Sequence, residues 1–148
     1  MLTLDAFLDA LRRFKLVDAE RLAIIESDRS SYSSARELAR DLIDEDLLTP
    51  YQVNQLFAGK GESLLLGAFV LLERLGAGGM GQVFVARNWR TDRIVALKMI
   101  HEDRLDSPDA VRRFQREIQA VSQLTHPNIV HAFDAEEVNG RWFLAMEY

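Results

Sequence analysis

The sequence contains no cysteine, which excludes a disulfide framework and thiolate chemistry. Histidine is scarce, at three residues. The one suggestive cluster, His101-Glu102-Asp103, has no partner ligands at zinc-like spacing and reads as a loop, so no metal site is expected. No apolar run approaches the roughly 20 residues of a membrane span. The N-terminus carries Asp5 and Asp9 and lacks a basic region ahead of an apolar core, so it does not read as a secretory signal. A cytoplasmic location is the resulting expectation. Positive charge is also short. Lys+Arg number 18 against 23 Asp+Glu, for a net charge of −5. Residues 1–63 carry 8 basic and 12 acidic side chains, and residues 64–148 carry 10 and 11. Neither part has the basic surplus of a nucleic-acid binder, so no nucleic-acid partner is expected. Fixed-period repeats and low-complexity tracts are missing too. What is present is 148 residues with 48% hydrophobic content, enough for one folded domain or two small ones.

Glycine is concentrated in one place. Residues 69–98 read FVLLERLGAGGMGQVFVARNWRTDRIVALK, with glycines at 76, 78, 79 and 81. Three short apolar runs, Phe69 to Leu75, Val83 to Ala86 and Ile94 to Ile100, are separated by glycine or polar clusters. This pattern predicts three consecutive antiparallel strands. A glycine-rich turn lets backbone N–H groups approach a phosphate closely. The spacing Gly76-x-Gly78-x-x-Gly81 fits two machines. A dinucleotide-binding fold requires a helix after the third glycine, but Gln82-Val83-Phe84-Val85-Ala86 is a strand pattern. The other machine joins two strands through the loop, with a Val two residues after the last Gly and V-A-I-K on the next strand. Here the residues are Gly81-x-Val83 and Val95-Ala96-Leu97-Lys98.

Farther on, Ser107-Pro108 predicts the start of a helix that runs to about Leu124 before His126-Pro127. On a wheel of about 100° per residue, Glu117 falls inside the apolar arc of Val111, Phe114, Ile118, Val121 and Leu124. It is either a buried carboxylate that needs a partner or an edge residue that reaches water. Lys98 is the only lysine after residue 60 and lies in an apolar strand. Its two readings are an outward solvated residue and a cation that bridges a carboxylate and a phosphate. Ile129 to Phe133 and Trp142 to Tyr148 read as two more strands, with Asn139-Gly140 as the hairpin signal between them.

The ordered set resembles the bacterial Ser/Thr protein kinases, over about residues 67–148. Their loop often reads GxGGMGxV. The resemblance implies an ATP site. Leu75, Gly76, Gly78, Gly79 and Gly81 would line the phosphate loop, and Val83 and Ala96 would sandwich adenine. Lys98 would contact the α- and β-phosphates and pair with Glu117. Met146 matches the gatekeeper, and Glu147 and Tyr148 match the start of the hinge. The sequence carries no H-R-D and no D-F-G, so the catalytic base and the magnesium-holding residues are not in it. The expectation is an inactive fragment, the N-terminal lobe of a longer kinase that acts on a protein substrate. Mg2+ would be expected only with the second lobe. An exposed lobe underside would favour self-association. The alternative is a non-catalytic interaction protein, a scaffold that reuses a kinase lobe. A third reading, a helical adaptor joined to an unrelated sheet, is disfavoured by the ordered glycine, lysine and glutamate set.

Residues 1–59 predict short helices. Leu4, Leu8 and Leu11 form a stripe with Phe7 and Phe14 beside it. Asp18 can cap a second helix, and Ser34-x-x-Glu37 is a capping-box pattern. Thr49-Pro50-Tyr51-Gln52 starts a fourth helix, with Pro at the first helical position. Gly59 and Gly61 end it. Tyr32, in a serine-rich stretch, reads either as a phosphorylation site or as part of a polar loop. In residues 60–66, Lys60-Gly61-Glu62-Ser63 reads as a flexible connector, and Leu64, Leu65 and Leu66 read as docking on one of the two parts. The expected architecture is α+β: a small helical bundle (1–59), a linker (60–66) and a kinase-like lobe (67–148) with a five-stranded antiparallel sheet and one long helix.

Overall fold

The computed structural model describes residues 2–78, 81–100, 132–138 and 141–147. Four helices come first: α1 (Leu4–Arg13), α2 (Ala19–Ser27), α3 (Ala35–Asp44) and α4 (Pro50–Phe57). Six strands follow: β1 (Leu65–Leu66), β2 (Phe69–Gly78), β3 (Gly81–Asn88), β4 (Ile94–Ile100), β5 (Ala132–Val138) and β6 (Arg141–Glu147). They form one sheet in the order β1-β2-β3-β4-β6-β5. The fold is α+β. Five strands are of ordinary length, and the sixth, β1, has two residues. The segment that predicts the long helix lies outside the described residues. The chain divides into two compact units, residues 1–73 and 74–148.

Each helix of the first unit starts where a side chain can accept from its orphan N–H groups. Thr3 Oγ1 accepts from the Ala6 amide at 3.1 Å, Asp18 Oδ1 from Arg21 at 2.8 Å and Ser34 Oγ from Glu37 at 3.2 Å. The box expected at Ser34 is only half made. The Glu37 carboxylate turns back to Ser33, accepting from its hydroxyl at 2.5 Å and its amide at 3.3 Å. Those bonds hold Glu37 below the usual carboxylate range. The helices enclose Phe7, Leu11, Leu38 and Leu42, all at most 2% exposed.

Three helices end the same way, in a left-handed residue: Lys15 (φ 58) after α1, Asp46 (φ 60) after α3 and Gly59 (φ 75) after α4. After each, the next amide reaches back five residues, as in Lys60 N to Gln55 O at 2.8 Å, which satisfies a terminal carbonyl. Only the last of these residues is glycine.

Residues 61–64 form a 3-10 turn, in place of the flexible connector expected there. A Cβ on Gly61 would meet Phe14 Cε2 at 2.7 Å, so any side chain there requires the Phe14 ring to shift. Leu64 is fully buried and Leu66 is 7% exposed. The leucines dock on the first unit, as their apolar character requires.

α4 is fastened to β2 by its own cap. Thr49 and Gln52 form a capping box: Gln52 N donates to Thr49 Oγ1 at 3.1 Å, and Thr49 N to Gln52 Oε1 at 3.0 Å. The remaining donors go to the strand. Gln52 Nε2 donates to Leu71 O at 2.9 Å, and the Thr49 hydroxyl donates to Leu72 O. Gln52 is 2% exposed. Replacing it would orphan a buried carbonyl and a cap amide at once. Gln52→Leu, which keeps most of the volume, should lower the stability of the first unit by about 1–3 kcal/mol. Urea unfolding followed by far-UV circular dichroism checks this, and an unchanged midpoint would show that the clasp adds no stability.

Candidate functional site

The second unit is built on strand alternation. In β4, residues 94, 96, 98 and 100 face one way and 95, 97 and 99 the other. Antiparallel register carries this across the sheet. Val83 lies opposite Lys98 and Val85 opposite Ala96. On the other side, Leu144 lies opposite Lys98 and Met146 opposite Ala96. Directly opposed residues share a face. Val83, Ala96, Lys98 and Met146, separated by up to 63 positions in sequence, are therefore four neighbours on one face. Val85 and Leu144 share that face, and neither was singled out from the sequence. The register alone reveals them.

The two faces differ in burial. On the face away from Lys98, Phe84, Ala86, Val95, Leu97, Phe143 and Ala145 are all at most 4% exposed. On the Lys98 face, Val85, Ala96 and Leu144 are 7–8% exposed, while Val83, Lys98 and Met146 are half-buried. Lys98 makes no ion pair among the described residues. Lys98 is thus a half-buried residue whose neighbours on this face, Val83, Ala96 and Leu144, are apolar, so its stem packs on apolar side chains.

The glycine-rich segment begins in β2. Leu75 is 48% exposed, one of three large apolar side chains so exposed among the described residues. Gly76 has no left-handed φ, and a Cβ there would meet nothing within 4 Å. Gly78 ends β2, and Gly81 opens β3 opposite Ile100. Gly79 lies outside the described residues, as do Glu117 and Tyr148. Glu147 contributes its backbone to β6, opposite Val95.

β5 and β6 pair antiparallel with Val138 opposite Arg141, so two residues separate them, as Asn139-Gly140 predicts. β5 extends to Val138, beyond the Phe133 limit read from its apolar run. Its polar part, Asp134 to Glu137, is held by backbone pairing with β6 and needs no apolar side chain. The turn from β3 to β4 is held by Asn88, whose Oδ1 accepts from the Arg90 amide at 2.9 Å and the Thr91 amide at 3.3 Å.

A family model described as "Protein kinase domain" matches residues 69–148, more than half of the chain. The chain belongs to the protein kinase family. It is 39% identical over 82 residues to the Serine/threonine-protein kinase PrkC of Bacillus subtilis, covering 55% of this chain and 13% of that protein. It is 44% identical over 75 residues to the Serine/threonine-protein kinase pkn3 of Myxococcus xanthus, covering 50% and 14%. With PknD of Mycobacterium tuberculosis it shares 42% over 80 residues, covering 54% and 12%. Among solved structures, a doubly substituted PknI kinase domain from Mycobacterium tuberculosis superimposes with a TM-score of 0.51 at 30% identity. That match covers 56% of this chain and 33% of the other. This member of the family thus spans about an eighth of the length of the curated relatives it matches.

At Gly76 nothing among the described residues requires glycine. Because its Cβ position is open and its φ is ordinary, Gly76→Ala should keep or raise stability, by about 0.4–1 kcal/mol through the unfolded chain. Chemical denaturation measures this. A loss above 1 kcal/mol would mean that the fold itself needs the glycine.

Proposed function

We propose that this chain is the ATP-binding, N-terminal part of a Ser/Thr protein kinase, which transfers the γ-phosphate of ATP to Ser or Thr of a protein substrate. The observation that carries this reading is the register that sets Lys98 among Val83, Ala96 and Met146 on the half-open face. The family match supplies the reaction class. In this assignment Val83 and Ala96 pack on adenine beside Met146, and the backbone of Glu147 and Tyr148 hydrogen-bonds its edge. Lys98 holds the α- and β-phosphates and is positioned by Glu117. Leu75 and the glycines at 76, 78, 79 and 81 cover the phosphates, where a Cβ would obstruct backbone approach.

The residues fit such a ligand. Lys98 has no carboxylate partner among the described residues, and a Cβ on Gly76 would meet nothing within 4 Å among them. The family's chemistry also requires Mg2+, which we assign to residues of the second kinase lobe. We divide the chain functionally into a helical module (1–59), a linker (60–66) and a lobe (67–148). No helix among the described residues is long and apolar enough to cross a membrane. We assign the protein to the cytoplasm.

Two outcomes test this assignment. Residues 1–148 should bind a fluorescent ATP analogue weakly, and Lys98→Met should weaken binding at least about tenfold, the loss of one charge-assisted contact, with an unchanged melting temperature. Equal affinity in a folded Lys98→Met protein overturns the role of Lys98. Incubation with labelled ATP and a generic protein substrate should give no phosphotransfer. Turnover that survives repurification and vanishes in Lys98→Ala would refute the expected inactivity. The half-open face should also drive self-association at high concentration. Sedimentation over a wide concentration range, compared with residues 1–62, checks that, and a strictly monomeric chain contradicts it.

A further inference from the structure

The first unit holds six arginines, at 12, 13, 21, 29, 36 and 40. Four are ion-paired: Arg12 with Asp9 and Glu26, Arg13 with Glu62, Arg21 with Asp18, and Arg29 with Asp5. Arg36 and Arg40 make no ion pair among the described residues, in a segment where acids outnumber bases. Their helix carries Glu37, Asp41 and Asp44, and none of these pairs with either arginine within ion-pair distance. Glu37 accepts from Ser33, although it lies within the field of Arg40. Burial raises the Tyr32 pKa, and the nearby Asp41 carboxylate raises it further.

The two arginines lie one helical turn apart and line the same groove. It is a cavity of about 240 Å³ between α3 and α4, completed by Ala39, Val53, Asn54 and Phe57. Its floor is apolar and fixed. Phe57 packs against the fully buried Phe7, with ring centroids 6.0 Å apart. The Arg36 guanidinium lies over the Phe57 ring, 5.8 Å from its centroid. Such a contact orients the planar fork while its donors stay available. The volume is below the roughly 300–1,000 Å³ of small-molecule sites and suits a single inserted side chain.

We propose that the α3–α4 groove is a docking surface for an acidic peptide segment of a partner protein. One apolar side chain of that segment enters against Val53 and Phe57, and flanking carboxylates meet Arg36 and Arg40. Charge complementarity selects this occupant. Two cations with no acid partner among the described residues stand at the rim, over an apolar floor. Bidentate carboxylate recognition is what an arginine fork provides. The inference is independent of the nucleotide assignment, because every residue it uses belongs to the helical unit.

The test uses residues 1–148 and a fluorescein-labelled nonapeptide of glutamates around one central phenylalanine, read by fluorescence anisotropy. Saturable binding is expected, weakening as salt rises. Replacing the peptide's phenylalanine by alanine should weaken it several-fold. The Arg36→Glu, Arg40→Glu double variant should weaken it at least tenfold with an unchanged melting temperature. If that variant does not fold, Arg36→Gln should still weaken it several-fold. The proposal is overturned if the wild-type chain shows no saturable binding, or if the charge-reversed protein binds equally well. Equal binding of the alanine peptide or of an oligothymidylate would identify a general polyanion surface and also overturns it. So does a wild-type dimer that excludes the peptide and dissociates on charge reversal, since the occupant is then a second copy.

Discussion

A strand that leaves its partner must find new partners for its backbone, and β2 meets that constraint through one helix cap. β1 pairs with β2 only at Val70 and Phe69. The next two carbonyls, of Leu71 and Leu72, are taken by Gln52 Nε2 and the Thr49 hydroxyl. The same two side chains close the capping box of α4. The Gln52 amide oxygen serves its own helix while the amide nitrogen serves the strand. No side-chain nitrogen or oxygen is left buried and unsatisfied among the described residues. Each bond is of modest net worth, about 1 kcal/mol, but leaving one unmade at a buried site costs more. The position of α4 and the start of β2 are thereby fixed together within the first unit, which includes strand as well as helix.

The second unit depends on a different constraint, the two-residue period of a strand. A slip of one residue in the β3–β4 register would carry Val83 away from the Lys98 face. The burial of Phe84 and Ala86 on the opposite face opposes that slip, since it would turn both onto the Lys98 face. The half-open face is held in register by the closed one. The side chains that a ligand would touch need not contribute much to stability, and an ammonium can be kept among apolar neighbours.

Much of this was legible in the sequence, and the misses have physical causes. Caps at Asp18, Ser34 and Thr49 are visible because few residue types can accept from orphan amides at the required spacing. The Lys98 face is legible because alternation and hairpin spacing are both short-range rules. Lys15 and Asp46 end helices in the left-handed region, and no composition signal marks them. The local strain is outweighed by the carbonyls the motif satisfies and by burial of the residue that follows, such as Leu16 at 3%. The tight packing of Gly61 was hidden for a related reason. Two glycines and polar neighbours look like a connector until Phe14 is seen against one of them. The dual role of Gln52 was half visible, since its helix cap could be read from spacing but its strand partner could not.

Gly61 and Gly76 show how packing distinguishes a structural glycine from one free for another use. At Gly61 a Cβ would press on Phe14 at 2.7 Å and on Leu56 at 3.0 Å, so a side chain there is opposed by the protein's own packing. At Gly76 the same atom would meet nothing, and the backbone conformation is open to any residue. The fold gives no reason for glycine there, and glycine carries an entropic cost relative to alanine. In this lobe that position opens the glycine-rich segment, 22 residues before the lone lysine. The same logic applies to Lys98, whose strand would bury an apolar residue at lower cost. Gly76 and Lys98 are thus two positions whose residue type the described part of the fold does not by itself require.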